Sequence, residues 1–362
     1  MTKKRVLVAM SGGVDSSVAA ILLAKEGYEL VGVTMKVWDY TGSGIKGKET
    51  GCCSLDSIND ARKIAIGMGF PHYVIDLRDI FREKIINNFV DEYMKGRTPN
   101  PCVLCNSFVK WEALLRKADQ LGCSHIATGH YARVRQEGGR HILSRGVDML
   151  KDQSYVLWGV SQENLGRTLL PLGGFTKGRI REIAREHGFE TIAEKSESYE
   201  ICFVPDNDYR GFLKRSVEGV EEKLSGGDIV DTSGKVLGKH KGYPFYTIGQ
   251  RKGLDVALGS PAYVSKIDPE SNTVTLGFRE DILSTHMSVK GVVMGKYSEV
   301  PSGGLKATGK VRYHDKGAPC TITPFGAETL LVAFDHPVSA ITPGQSAVFY
   351  EGDDVVAGGI IA

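Results

Sequence analysis

No run of eighteen or more apolar residues occurs anywhere in the 362-residue chain, so a transmembrane helix is excluded. The first apolar run, Val6 to Met10, is too brief for a signal-peptide core and no cleavage site follows it. A cytoplasmic protein is expected, without a membrane partner. The chain also has little net charge, +2, which neither requires nor forbids nucleic acid, because Lys and Arg can gather on one face. Its seven cysteines, an odd number, do not read as disulfide staples. They fit a reducing compartment in which thiols serve as ligands or nucleophiles. Internal repeats, coiled coils and low-complexity tracts are all missing. What remains, 41% hydrophobic and 24% charged residues, is material for two or three soluble cores.

The first half alternates strand and helix signals. Arg5 to Met10 is a short apolar run, followed by a Gly-rich turn and an apolar helical stretch from Val18 to Lys25. Leu30 to Val37 and His72 to Leu77 read as strands, and Asp56 to Met68 as a helix. Phe81, Ile85, Phe89 and Tyr93 recur every four residues on one helix face, and Trp111 to Leu121 forms a second amphipathic helix before the strand-like His125 to Thr128. This alternation predicts an α/β domain with a parallel sheet covered on both faces and ligands at the carboxyl ends of the strands. From Gly227 onward, short alternating runs such as Ala262 to Ile267, Thr273 to Leu276, Lys306 to Tyr313, Leu330 to Phe334 and Ala347 to Tyr350 are broken by turn residues. Two small β-rich domains are expected there, the last a β-barrel. The expected division is 1–210 for the α/β domain, 211–283 for a central β-rich domain and 284–362 for the barrel.

Ser11-Gly12-Gly13-Val14-Asp15-Ser16-Ser17 lies between the first strand and the first helix. Two glycines let backbone N–H groups close around phosphate oxygens, and the helix that follows offers its unpaired N–H groups and positive dipole end. A bare glycine pair would be only a turn; the full string in this position is a phosphate loop. The GxxxxGK[ST] pattern, whose lysine serves β/γ-phosphate chemistry, is absent. The string resembles the pyrophosphatase-type loop of enzymes that cleave ATP between the α and β phosphates and adenylate a carbonyl oxygen.

Cysteine chemistry is expected at two places. In Thr98-Pro99-Asn100-Pro101-Cys102-Val103-Leu104-Cys105-Asn106 two prolines stiffen the loop, and Asn106 or Ser107 is expected to cap the next helix. Cys105 would then sit at a helix N-terminus, where the dipole favours a thiolate. Cys202 lies in Glu200-Ile201-Cys202-Phe203. Lone cysteines such as Cys123 and Cys320 read as small buried apolar residues. A structural zinc site lacks a second ligand pair, and a thioredoxin-like motif would need its own fold. A sulfur-transfer site fits best, one thiol carrying a persulfide and the other resolving it as a disulfide. Cys52-Cys53, after a Gly-, Lys- and Thr-rich loop, reads as a mobile segment near the nucleotide.

Seven strings in order, SGGVDSS (11–17), TPNPxxxCN (98–106), ATGHYA (127–132), KDQSY (151–155), ICF (201–203), TIGQRKGL (247–254) and TPGQSAVFY (342–350), resemble the bacterial tRNA-specific 2-thiouridylases nearly end to end. The resemblance implies an adenine-nucleotide α-hydrolase-like catalytic domain over 1–210, a tRNA-contacting central domain over 211–283, and ATP-dependent thiolation of C2 of the wobble uridine, with Mg²⁺ on the triphosphate. ATP would meet Ala9, Met10, Ser11, Gly12, Gly13, Val14, Asp15, Ser16, Met35 and Gly129. Cys202 would carry the persulfide and Cys105 would be the second reactive thiol. Asn100, Pro101 and Cys102 would face the target base, and His130, Lys151, Asp152, Gln153, Arg312, Tyr313 and Gln345 would contact the tRNA. The implied partners are the tRNAs for Glu, Gln and Lys and a persulfide-donating sulfur carrier, acting on a monomer.

One departure from the family pattern bears on mechanism. Many members carry Asp where this chain has Cys102, and a thiol is a weaker acid than a carboxyl group. Cys102, Cys105 and Cys202 are also a set able to hold three irons of a [4Fe–4S] cluster with the fourth open. The sequence leaves persulfide relay and cluster both open. Two rival functions are a small-molecule ligase using the same adenylate chemistry, which has no use for Cys105 and Cys202, and a non-catalytic RNA-binding or sulfur-carrier protein with a decayed loop.

Overall fold

The computed structural model describes residues 4–39, 54–195, 201–204, 206–256, 258–326 and 328–362. Cys52 and Cys53 lie outside them. Two units follow from the packing: one from the segments up to Ile85, Cys102–Asn207 and Asp353–Val355, the other from Ile86–Pro101, Asp208–Gly352 and Val356–Ala362.

In the first unit β1 (Arg5–Ala9), β2 (Glu29–Lys36), β3 (His72–Asp76) and β4 (His125–Ala127) precede a hairpin, β5 (Ala132–Glu137) and β6 (Arg140–Arg145), and then β7 (Thr168–Leu169). The sheet order is β3-β2-β1-β4-β7, and every pairing is parallel. The expected α/β sheet is therefore present. Strand β1 has β2 on one side and β4 on the other, so connections leave it in opposite directions, which opens a crevice at its carboxyl end. Helix Val14–Lys25 starts there. Its Val14, Val18, Ile21 and Leu23 pack with Val6, Val8, Leu30, Ile64 and Ile183 in one core. Burial of such side chains stabilises by about 1.5–3 kcal/mol each.

In the second unit β8 (Asp228–Asp231), β9 (Val236–Lys239), β10 (Tyr263–Asp268) and β11 (Thr273–Gly277) form a small sheet ordered β10-β11-β8-β9. Then β12 (Leu283–Met294), β13 (Leu305–Lys310), β14 (Ala318–Pro324), β15 (Thr329–Ser339), β16 (Ser346–Glu351) and β17 (Asp354–Ile361) run in the order β12-β15-β14-β13-β16-β17. Pairing of β12 with β17, Val289 opposite Ile361, closes a six-stranded barrel. Closure leaves no edge for another chain to pair with. Val289, Phe334, Phe349 and Val356 fill its interior.

Candidate active site

The phosphate loop is held in shape by its own side chains. Ser16 Oγ accepts from the Ser11 amide at 3.1 Å and donates to the Gly13 carbonyl at 3.2 Å, while Ser17 Oγ donates to the same carbonyl at 2.7 Å. Gly12 is left-handed, φ +70°, and a Cβ there would stand 2.1 Å from the Ser57 carbonyl oxygen, so only glycine fits. Helix Val14–Lys25 begins with Gly13 as N-cap and no side chain bonded to its first turn. Its first N–H groups therefore point at the crevice with no intrahelical partner, as a phosphate requires.

Two lysines outside every motif complete this loop. Lys177, buried, places its ammonium 2.7 and 2.8 Å from the two carboxylate oxygens of Asp15, and Tyr131 Oη donates to Asp15 at 2.6 Å. Lys195 Nζ donates to the Gly12 carbonyl at 2.9 Å. A carboxylate beside a polyphosphate is repulsive, and Lys177 neutralises it. Neither lysine is among the residues the sequence motifs single out. The one local trace of Lys177 is Thr176, whose side chain caps helix Lys177–Glu186, and nothing in one sequence ties that helix to residue 15.

Gly129 belongs to the same wall. A Cβ on it would lie 2.8 Å from both the Asp15 carbonyl carbon and the Ser16 amide nitrogen. Gly129→Ala is therefore expected to push the loop outward and weaken ATP-dependent turnover by about 10²-fold, with the fold retained. Equal ATP titrations for the variant and the parent protein would remove Gly129 from the site.

The cysteine loop corrects an expectation. Asn106 does not cap a helix. Helical structure begins at Pro101, the favoured place for proline, and runs without a break through Pro101–Cys105, a π-helical turn Asn106–Lys110 and Trp111–Gln120. Cys102, not Cys105, sits in the first turn. Asn106 is buried and its Nδ2 donates to the Val156 carbonyl at 3.0 Å. Cys102 is exposed, Cys105 is buried and Cys202 is half-buried. Cys102 is accessible to solvent yet densely surrounded by protein, and that desolvation raises its thiol above the ordinary value while Lys110 pulls it down. Next to Cys202, Phe203 is buried edge-on against Phe81 at 5.7 Å and tilted on Trp38 at 6.3 Å, which anchors the short segment. Among the described residues no group of three His, Cys, Asp or Glu side chains is placed to hold a metal ion.

His130 lies 5.7 Å from the Trp111 ring and bonds Thr128 Oγ1 through Nδ1 at 2.8 Å. Desolvation, with Lys110 adding to it, pushes its pKa down to about 3. Lys110 thus acts on both Cys102 and His130. A histidine held neutral contributes full stability above the ordinary value of about 6.5 and loses it as pH falls toward 3, by about 1.4 kcal/mol per unit. Urea midpoints at pH 7 and 5.5 are expected to converge in His130→Gln relative to the parent. An unchanged difference would show that the imidazole is not desolvated.

Other expected RNA contacts are engaged internally. Asp152 is buried and accepts from the Gly146 and Ser154 amides and from Ser154 Oγ, while Gln153 Oε1 accepts from the Tyr131 amide. Asp152 therefore braces its loop, and Lys151, half-buried, is the cation it presents. In the second unit Gln345 Nε2 donates to the Thr98 and Pro99 carbonyls at 3.1 and 3.2 Å, clamping the chain just before Asn100 and Pro101. Arg312 is exposed and donates to the Ser339 carbonyl; Tyr313 stacks edge-on against His314.

Residues 4–206 match the tRNA methyl transferase HUP domain, 211–278 the tRNA methyl transferase PRC-barrel domain and 288–361 the aminomethyltransferase beta-barrel domain. Proteins named tRNA-specific 2-thiouridylase MnmA from Amoebophilus asiaticus, Cytophaga hutchinsonii and Salinibacter ruber are 59%, 57% and 56% identical to this chain. Each alignment covers 100% of this chain and 96%, 98% and 95% of theirs. The chain belongs to the tRNA-specific 2-thiouridylase family. Among solved structures, a 4-thiouridine synthetase–RNA complex with bound ATP covers 60% of this chain and 51% of its own at 19% identity and TM-score 0.37, too distant to bear on the site. In this member of the thiouridylase family Asp15, Lys177 and Gly129 line the phosphate loop, and in the same unit the Lys110 charge lowers the pKa of both Cys102 and His130.

Proposed function

We propose that this chain, a tRNA-modifying sulfurtransferase, replaces the C2 oxygen of the wobble uridine of tRNA with sulfur. The supporting observation is the neutralised phosphate loop at the sheet's switch point, in a chain that aligns end to end with tRNA-specific 2-thiouridylases. The C2 oxygen is a poor leaving group, so it attacks the α-phosphate of ATP and pyrophosphate departs. The terminal sulfur of a Cys202 persulfide then adds at C2. AMP leaves with the former C2 oxygen. Cys105 as thiolate attacks Cys202 Sγ, the S–S bond breaks toward the base, and a Cys105–Cys202 disulfide remains for an external thiol to reduce. The substrates are ATP, a tRNA of the Glu, Gln or Lys type, and sulfur from a persulfide-donating carrier. Mg²⁺ would arrive on the triphosphate, since Asp15 is already held by Lys177 and Tyr131. It would supply charge neutralisation at the phosphates.

The test is thiolation of an unmodified transcript with uridine at the wobble position, using iron-free protein, ATP, Mg²⁺ and a persulfide donor. A band retarded in a mercury-containing gel supports the reading. No band from iron-free protein, with a band after anaerobic cluster reconstitution, would overturn the relay.

A further inference from the structure

The TIGQRKGL string has no part in the chemistry above, and its surroundings in the second unit are cationic. Thr247 to Lys252 is locked by its own bonds: Gln250 Oε1 accepts from the Thr247 amide, Gln250 Nε2 donates to the Lys252 carbonyl, and the Gly249 amide and Gln250 carbonyl bond to Val264. Gly249, Gly253 and Asp255 all have positive φ, +83°, +68° and +54°. For Asp255 that is a conformation an L residue adopts at a cost, held by its context. The rigid turn leaves Arg251 and Lys252 exposed. Beside it lies a concavity of about 230 Å³ lined by Arg210, Lys214, Lys241, Phe245, Tyr246 and Asp255, among others.

The charges here do not cancel. Lys214 pairs with Glu221 and Lys241 with Asp255. Among the described residues Arg210, Arg251 and Lys252 form no ion pair, although Arg210 lies over the Tyr209 ring, with a guanidinium nitrogen 3.8 Å from where a Gly253 Cβ would be. Lys214 likewise lies over Phe245 at 5.4 Å. Three unpaired cations held together repel one another, and a polyanion with regularly spaced charges relieves that repulsion. We propose that this surface is a phosphate-backbone cradle for tRNA, reading no base, formed by Arg210, Arg251 and Lys252 on the locked turn. The proposal rests on tRNA being the substrate.

The experiment measures fluorescence anisotropy of an unmodified tRNA transcript with the full chain across a KCl series. The proteins are the parent, Arg251→Ala/Lys252→Ala and the charge-preserving Arg251→Lys. The double variant is expected to bind about tenfold more weakly, and Arg251→Lys to stay near the parent. The slope of log affinity against log salt should fall by about 1 for each phosphate that the double variant no longer neutralises. Unchanged affinity and slope in a folded double variant overturn the cradle and leave the function intact. Unchanged tRNA binding with impaired sulfur delivery from a carrier protein also overturns it, since the surface would then take protein. No tRNA binding by the parent overturns both readings.

Discussion

Cys202→Ala is expected to yield no thiolated tRNA, a loss of at least about 10³-fold, while still releasing pyrophosphate when tRNA and ATP are supplied. The separation follows from the site's construction. In the proposed reaction adenylation would draw on the loop Ser11–Ser17, Lys177 and Gly129, whereas Cys202 sits on a segment that Phe203 anchors against Phe81 and Trp38. Removing one sulfur atom at a half-buried position leaves that aromatic anchor in place, so loss of activity cannot be charged to misfolding. Thiolation is scored on a mercury gel and pyrophosphate by a coupled assay on the same sample. A variant that thiolates at the parental rate assigns the persulfide to another cysteine, with Cys105 next in line.

The second large effect is expected at Asp15. Asp15→Ala should lower tRNA-dependent pyrophosphate release by at least about 10²-fold, because it strands the Lys177 ammonium and frees Tyr131 Oη. Removing one partner of this half-buried pair leaves the other charge uncompensated. The cycle with Lys177→Met separates the two consequences. The double variant Asp15→Asn/Lys177→Met should regain most of the stability lost in Lys177→Met alone and none of the pyrophosphate release. If it regained both, the pair would be scaffolding alone. Parental release by Asp15→Ala would sink the phosphate-loop assignment.

Much of this is legible in the sequence because periodicity reports burial. Phe81, Ile85, Phe89 and Tyr93 are all buried, as their spacing of four requires, and the runs that read as strands lie within a residue or two of β1 to β4. The phosphate loop is legible because its glycines answer a backbone need. Where the sequence misleads, the determining contact is distant or the signal is short. Hairpin β5–β6 turns on Gly138-Gly139, both at positive φ, a two-residue signal lost between longer patterns. Lys177 meets Asp15 across 162 positions, and no local pattern announces such a partner. The helix carrying the cysteines begins six residues earlier than a cap at Asn106 would place it. Proline's fixed φ suits a stiff loop and a first helical turn equally, and Asn106 turns inward to Val156 instead of capping.

That helix has a further property. Its π turn at Asn106–Lys110 holds one residue more than an α-helix would place there, and the extra residue sets the angular phase between Cys102 and Cys105 on one side and Trp111 on the other. Deleting a single residue within 106–110 would let the turn relax to ordinary α geometry. Cys102 and Cys105 would keep nearly the same phase toward Trp111, because the π turn had already absorbed the extra residue. The register of the thiols is thus stored as winding: rewinding the same residues as plain α-helix, not losing one of them, is what would turn both thiols by about 100° relative to Trp111.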